Sequence, residues 1–442
     1  MTHVREEISF GLSERGKRGS LLLLTTTTGY QTRQFVEAAQ KTGVSVVLGS
    51  DRCHRLADPW RDGALPLKFE NPDESAAKIV DFTRGVPLAG IVALGDCTPP
   101  TAARAARALG LPFHSPHAAD TCRDKYLSRC RLAEAGLKIP AFIRYPGDAN
   151  PRDLLSSGSP PVGYPCVLKP LALSASRGVI RADNPEQFIR AFDRIRKLLS
   201  SPEVRVSRQP AHCFIQVEEY IEGEEFAIEA VVEHGRLRLL AIFDKPDPLE
   251  GPTFAETIYV TPSRLSLAAQ QKIADTLAGA AWALGLDHGP VHAEVRLNAR
   301  GAWILEVAAR PIGGLCARAL RLQSAKFDRS LTLEELLIRL ALDEDVHDAE
   351  REAAASGVMM IPVLEEGILE RVEGVEEAKA LAGIEEIILT SRPADKLVPW
   401  PEGSSYPGFI FARGDSPEFV EQALRQAQAQ LRFVVTPALA VI

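Results

Sequence analysis

Residues 289–314, GPVHAEVRLNARGAWILEVAARPIGG, constrain this chain more than any other stretch. Two runs that alternate apolar and polar residues flank Asn298, Ala299, Arg300 and Gly301, which are turn-forming residues, and that pattern predicts a β-hairpin. A turn centred on Arg300 sets Glu294 opposite Glu306, Arg296 opposite Ile304, and His292 opposite Ala308. Side chains on a strand alternate faces. One face then carries His292, Glu294, Arg296, Glu306, Ala308 and Arg310. The other carries Val291, Ala293, Val295, Leu297, Trp303, Leu305 and Val307, an unbroken core face. Two carboxylates directly opposed on the polar face repel unless a cation lies near them.

Three readings fit that pair. It is a solvated sheet face, with Arg296 softening the repulsion. It is a carboxylate dyad sharing one proton. Or it is a magnesium site, because magnesium takes hard oxygen ligands and works with one or two carboxylates plus substrate phosphates. The remaining sequence has to supply a phosphate site if the third reading holds.

With 442 residues, the length suggests about three domains. The composition is that of an ordinary globular protein, and the net charge of −7 with no basic block argues against nucleic-acid binding. Residues 1–18 lack the apolar core of a signal peptide and read as a loose lead-in. No apolar run is long enough for a membrane span, so a cytoplasmic protein is expected. The seven cysteines are scattered without a CxxC pair, as expected of reduced thiols, and a zinc site has no spacing to support it.

Residues 19–117 alternate strand and helix patterns: GSLLLLT, a helix over 30–41, VSVVLGSD, a helix over 75–84, AGIVALGD and a helix over 101–109. Such alternation predicts a doubly wound parallel sheet covered on both faces. No GxGxxG follows the first strand, so a dinucleotide fold is not indicated. The runs TTTTG and GSD lie at carboxyl ends of strands, where open sheets bind ligands. Residues 114–124 read as a connector and 125–135 as a helix closed by Gly136. Next come PCVLKP as a buried strand, the small-residue loop SASRGV, a helix over 185–199, a strand and hairpin turning at His234 and Gly235, and a helix over 266–284. The charged run DEDVHDAEREAAASG suggests a boundary near 345. Short strands and a helix over 417–431 then predict a small α+β domain over 346–442.

Lys169 ends a buried apolar strand, where a lysine either faces a ligand or snorkels outward. SASRGV follows at once, and small residues there expose backbone N–H groups to a phosphate. EEYIEGEE places Glu218 and Glu225 on either side of Gly223. The order Lys125, Lys169, SASRGV, EEYIEGEE, paired Glu294 and Glu306, then Arg310 resembles the ATP-grasp superfamily. The run LGLPFHSPHAADTCRDKYLSR is similar to a stretch of the same family. The branch it most resembles is the carboxylate–amine ligases that include L-amino acid ligases and carnosine-synthase-like enzymes. The segment from Val358 onward, with GFIFARGDSPEFVEQALRQAQAQL, is similar to their C-terminal domain.

That resemblance implies an ATP-grasp domain over 118–345 with nucleotide between two subdomains. It implies that Lys125 and Lys169 bind phosphates under a mobile loop containing Ser174, Ser176, Arg177 and Gly178. Glu218, Glu219 and Ile221 would read the adenine, Glu225 the ribose, and Glu294 and Glu306 would hold magnesium. Arg310 would position a carboxylate or acyl phosphate, with Gly313 and Gly314 allowing close backbone approach, and Glu256 would hold an amino group. Many members carry Asn at the position of Ala308, so the number of magnesium ions is open. The implied reaction is ADP-forming amide synthesis from a small-molecule carboxylate and an amine; the oligomeric state is open, with a homodimer among the candidates. Bicarbonate activation of the biotin-carboxylase type, or a nucleotide-binding module without turnover, are the alternatives.

Overall fold

The structure is a computed structural model that describes residues 19–27, 29–51, 64–155, 160–205 and 209–437. The expected lead-in over 1–18 and Cys53 lie outside the described residues.

The N-terminal sheet has four parallel strands in the order Leu65–Pro66, Val46–Ser50, Ser20–Thr25, Leu88–Ala93. Its central strand explains the LLLL run. Leu21 and Leu23 pack with Phe35 on one face, and Leu22 and Leu24 pack with Ile79 on the other, all four fully buried. A sheet covered on both sides requires apolar residues at every position. Helices Thr32–Thr42, Pro72–Phe82 and Pro99–Leu109 supply the cover.

The expected connector over 114–124 is instead a helix, Pro116–Arg123. Ser115 caps it, accepting from the Ala118 amide, and Pro116 begins it. These are helix-start signals, but eight residues show too little periodicity to read. Asp124 then caps the next helix, Lys125–Glu134, accepting from Tyr126 and Leu127 amides.

A second, antiparallel sheet follows in the order Phe142–Pro146, Phe214–Glu219, Cys166–Pro170, Ile180–Ala182. Helix Pro185–Leu199 buries Phe188, Phe192 and Ile195 against it. The third sheet has eight strands, ordered Gly301–Ala308, Gly289–Asn298, Glu224–Glu233, Arg236–Asp244, Ile258–Thr261, Ala355–Met360, Gly408–Gly414, Ile384–Leu389. Its last three strands come from the C-terminal segment and continue the sheet begun by the central one. Helix Leu267–Leu284 covers the hairpin end through Ile273, Leu277 and Ala281.

The hairpin register departs from the simple reading at one step. His292 faces Ala308 and Glu294 faces Glu306, as the spacing predicts. A bulge then shifts the pairing, so Arg296 faces Trp303 rather than Ile304. One extra residue on one strand reverses the faces beyond it. Ala302 and Ile304 therefore join Ala293 and Val295 in the core, while Leu305 turns to the polar side beside Glu306. The sequence cannot reveal this, because both arrangements place an apolar residue inward. Among the described residues no helix is long and apolar enough to cross a membrane.

Candidate active site

A cavity of about 350 Å³ opens where the three sheets meet. The carboxyl ends of the N-terminal strands bring Thr25, Gly95 and Asp96. The second sheet brings Lys169, Glu218 and Glu219. The hairpin brings Glu294, Leu305 and Glu306, followed by Arg310, Gly313 and Gly314, and the C-terminal segment adds Tyr406. Lys125, Ser174, Ser176, Ile221, Glu225 and Glu256 also line it. Of the residues singled out from sequence, Arg177 and Gly178 lie outside this lining.

Arg177 turns away from the cavity. Its guanidinium donates to the Glu402 carbonyl at 2.8 Å and pairs with Glu203 at 3.0 Å. The Gly178 amide donates to the Pro401 carbonyl at 2.8 Å, and the Trp400 indole donates to the Ala175 carbonyl at 2.8 Å. In this state Arg177 and Gly178 tether the loop to the C-terminal segment. Ala175, Ser176 and Gly178 all have positive φ, which turns the loop sharply. A Cβ at Gly178 would meet the Pro170 ring at 2.8 Å.

Lys169 and Glu218 form a buried pair at 2.6 Å, and Arg129 holds the same carboxylate at 2.8 Å. Burial tends to raise the Glu218 carboxyl, but the Arg129 and Lys169 cations outweigh it and hold it below its usual range. Burial, with Arg129 and Lys125 nearby, lowers the Lys169 ammonium from 10.5 to about 8 despite Glu218. Glu218 thus anchors the lysine in place. Arg129, in the RDKYLSR run, was given no role from sequence, yet it also donates to the Leu305 carbonyl and fixes the bulged residue.

Lys245 is another residue that sequence reasoning missed. Its ammonium lies 2.8 Å from Glu225, 2.6 Å from Glu256 and 3.4 Å from Glu294. Burial pushes toward the neutral amine, but the three carboxylates outweigh it and keep the lysine charged, well above its usual range. A signal existed: Lys245 ends an apolar strand, as Lys169 does. Glu225 also pairs with Arg296 at 2.9 Å, and Arg296 donates to the Ile221 carbonyl at 2.6 Å. Tyr259 donates to the Glu256 oxygen that Lys245 holds.

The two opposed carboxylates of the hairpin therefore answer to different cations. Glu306 lies 3.3 Å from Lys125, while Glu294 shares Lys245 with two other carboxylates. Burial and the neighbouring Glu256 hold the Glu294 carboxyl above its usual range in spite of Lys245. Arg310 donates to Asp96 at 2.6 Å and, with that partner, stays charged when buried. Asp96, just beyond strand Leu88–Ala93, was also missed, although GSD and TTTTG had marked such strand ends. His292 and Glu229 form a buried pair at 3.1 Å, and Glu229 accepts from the Ile312 amide, which fixes the loop carrying Gly313 and Gly314.

Comparison with known proteins identifies the domains of the chain. Residues 162–319 match the ATP-grasp domain, residues 36–113 the ATP-grasp N-terminal domain, and residues 359–436 the L-amino acid ligase C-terminal domain 2. The chain is an ATP-grasp protein, of the branch that carries the L-amino acid ligase C-terminal domain. The L-amino acid ligase from Bacillus licheniformis superposes with a TM-score of 0.78 at 26% identity, over 95% of this chain and 100% of that one. Alanine–anticapsin ligase of Bacillus subtilis is 29% identical over 293 residues, which are 62% of this chain and 60% of that ligase. Carnosine synthase 1 of Gallus gallus is 26% identical over 336 residues, 72% of this chain and 35% of that enzyme.

Proposed function

We propose that the protein is an ATP-dependent, ADP-forming ligase that joins an amino acid or small carboxylate to an amine or second amino acid. The observation that carries this reading is the convergence of Lys125, Lys169, Glu294, Glu306 and Arg310 on one cavity. That set combines cations for phosphates, paired carboxylates for a metal, and a guanidinium for a substrate carboxylate.

A carboxylate is a poor electrophile, so amide formation needs activation as an acyl phosphate. Lys125 and Lys169 would draw the triphosphate in and offset charge on its oxygens during transfer. Glu294 and Glu306 fit magnesium, because both reach the cavity from paired strands and Glu294 has only a shared cation. Magnesium held there would neutralise charge on the transferring phosphoryl group. Arg310, braced by Asp96, would orient the substrate carboxylate. Glu256, whose bonds from Lys245 and Tyr259 both fall on Oε1, would accept an amino group through Oε2. The Ser174–Gly178 loop would exclude water, which otherwise hydrolyses the acyl phosphate.

The test supplies ATP and magnesium with a panel of amino-acid pairs, and measures phosphate release together with product mass. The reading requires ADP, phosphate and an amide-linked product in equal amounts. Phosphate release that needs bicarbonate, or none with any pair, would count against it.

A further inference from the structure

A second group of potential ligands lies far from the cavity. Glu225 is at one end of strand Glu224–Glu233, and His234 sits at the turn beyond the other end. At about 3.3 Å per residue that is a separation of roughly 30 Å. There His234, His288 and Asp343 each place a ligand atom within 4.8 Å of the others. His234 Nε2 is 3.1 Å from Asp343 Oδ1. Nearest ligands around a tetrahedral zinc ion, each about 2.0 Å from the metal, stand roughly 3.3 Å apart.

His288 supplies the independent observation. Its side chain is buried, at 6% exposure, and its Nε2 lies 3.1 Å from the Leu340 carbonyl. A carbonyl can only accept, so Nε2 carries the proton and Nδ1 keeps its lone pair. Nδ1 has no hydrogen-bond partner among the described residues. An imidazole with one nitrogen fixed by a backbone carbonyl and the other left as a bare lone pair is the arrangement metal-binding histidines adopt. The neighbouring His114 has its Nε2 2.9 Å from the Pro290 carbonyl in the same way, but its Nδ1 faces Asp287 at 3.8 Å and it lies outside the group of three.

We propose that His234, His288 and Asp343 bind a divalent transition-metal ion of the zinc class. Two imidazoles and a carboxylate suit such ions better than magnesium or calcium, which favour all-oxygen sets. The exposed side chains of His234 and Asp343 give the ion its route from solvent, and water completes the coordination. The three ligands come from the turn between two strands, the approach to the hairpin strand, and the end of helix Leu333–Ala341. That helix packs against the N-terminal domain, where Gly90 lies so close to Ala341 that a Cβ would meet its carbonyl at 2.3 Å. A bound ion would clamp the helix, and the domain it supports, to the large sheet. Cysteine spacing could not have shown this site, because it uses no cysteine and draws on three distant segments.

The experiment titrates the chelator-stripped full chain with zinc by calorimetry and with cobalt by visible absorption. Expected are one saturable zinc site, a higher melting temperature with zinc, and a tetrahedral cobalt spectrum without a thiolate charge-transfer band. His234→Asn and Asp343→Asn should each weaken zinc binding about tenfold or more. Asparagine tolerates the left-handed backbone at both positions (φ 49° and 57°), so the fold is kept. Glu306→Gln, in the cavity, should bind zinc as the parent does. Unchanged zinc affinity in both surface variants, a thiolate band, or no saturable site would overturn the proposal.

Discussion

Lys245 governs how much positive charge the cavity must draw from outside. One ammonium serves three carboxylates, and the longest of its contacts is the 3.4 Å one to Glu294. Glu294 is thus the least compensated of the trio, and a cation entering with nucleotide would relieve it. Glu294→Gln and Glu306→Gln keep shape and delete one charge each. Each should lower turnover about a hundredfold or more, roughly 2.7 kcal/mol of transition-state stabilisation, with melting little changed. If both serve one ion, the double variant should cost far less than the sum. Near-normal turnover in Glu306→Gln would remove the centre of the ligase reading. Lys245→Met leaves three half-buried carboxylates without their common partner, a loss of up to about 3 kcal/mol in stability. Thermal melts would detect it, and an unchanged melting temperature would show that the carboxylates protonate at little cost. Lys169 adds a pH dependence. Its pKa in the folded protein, about 8, is below the ordinary 10.5, so the ammonium is lost as pH rises through about 8. ATP affinity should fall above that pH, and Lys169→Arg should flatten the fall. In the window from about 8 to 10.5 the unfolded chain holds this proton and the folded chain does not, so this group's contribution to stability rises with pH.

Two elements aim the charged groups, and each depends on a local device. Helix Lys125–Glu134 carries Lys125 and Arg129 on adjacent turns, and Asp124 fixes its start through two amide bonds. Asp124→Ala should cost about 1 kcal/mol of stability and raise the KM for ATP more than it lowers kcat. A kcat loss without a KM change would mean that the cap does not control the aim of Lys125. The hairpin depends on its bulge, which lets Glu294 and Glu306 stay opposed while Leu305 offers its carbonyl to Arg129. The carboxylate pairing was legible because it rests on turn chemistry and period-two alternation. The bulge was not, since Trp303, Ile304 and Leu305 are interchangeable as apolar residues until the helix Leu267–Leu284 selects which packs inward.

Across the whole molecule, the cavity is closed by parts that sequence order keeps far apart. The loop at Ser174–Gly178 is held by Trp400, Pro401 and Glu402, more than two hundred residues later. Trp400→Phe removes the indole donor to Ala175 while keeping an aromatic ring. A neutral hydrogen bond contributes about 0.5–1.5 kcal/mol, so the KM for ATP should rise severalfold. Phosphate release should also exceed amide product, because a loosened loop admits water. A phosphate-to-product ratio that stays at one would show that closure does not depend on this tether.

Local and periodic information determined much of this protein. The parallel N-terminal domain, the two opposed glutamates, the helix caps and the ordered ATP-grasp motifs all follow from residues near one another in sequence. Tertiary structure alone decided the ion-pair partners. Lys245 with Glu225, Glu256 and Glu294, Arg310 with Asp96, Glu218 between Lys169 and Arg129, and the His234–His288–Asp343 group each join separate elements. The same holds for the C-terminal strands, of which Ala355–Met360, Gly408–Gly414 and Ile384–Leu389 complete the large sheet while Gly367–Glu373, Lys396–Leu397 and Arg432–Thr436 form a small one of their own. The physical reason is range: turns, caps and side-chain alternation act over a few residues, whereas charge pairing in a buried cavity depends on which elements pack side by side.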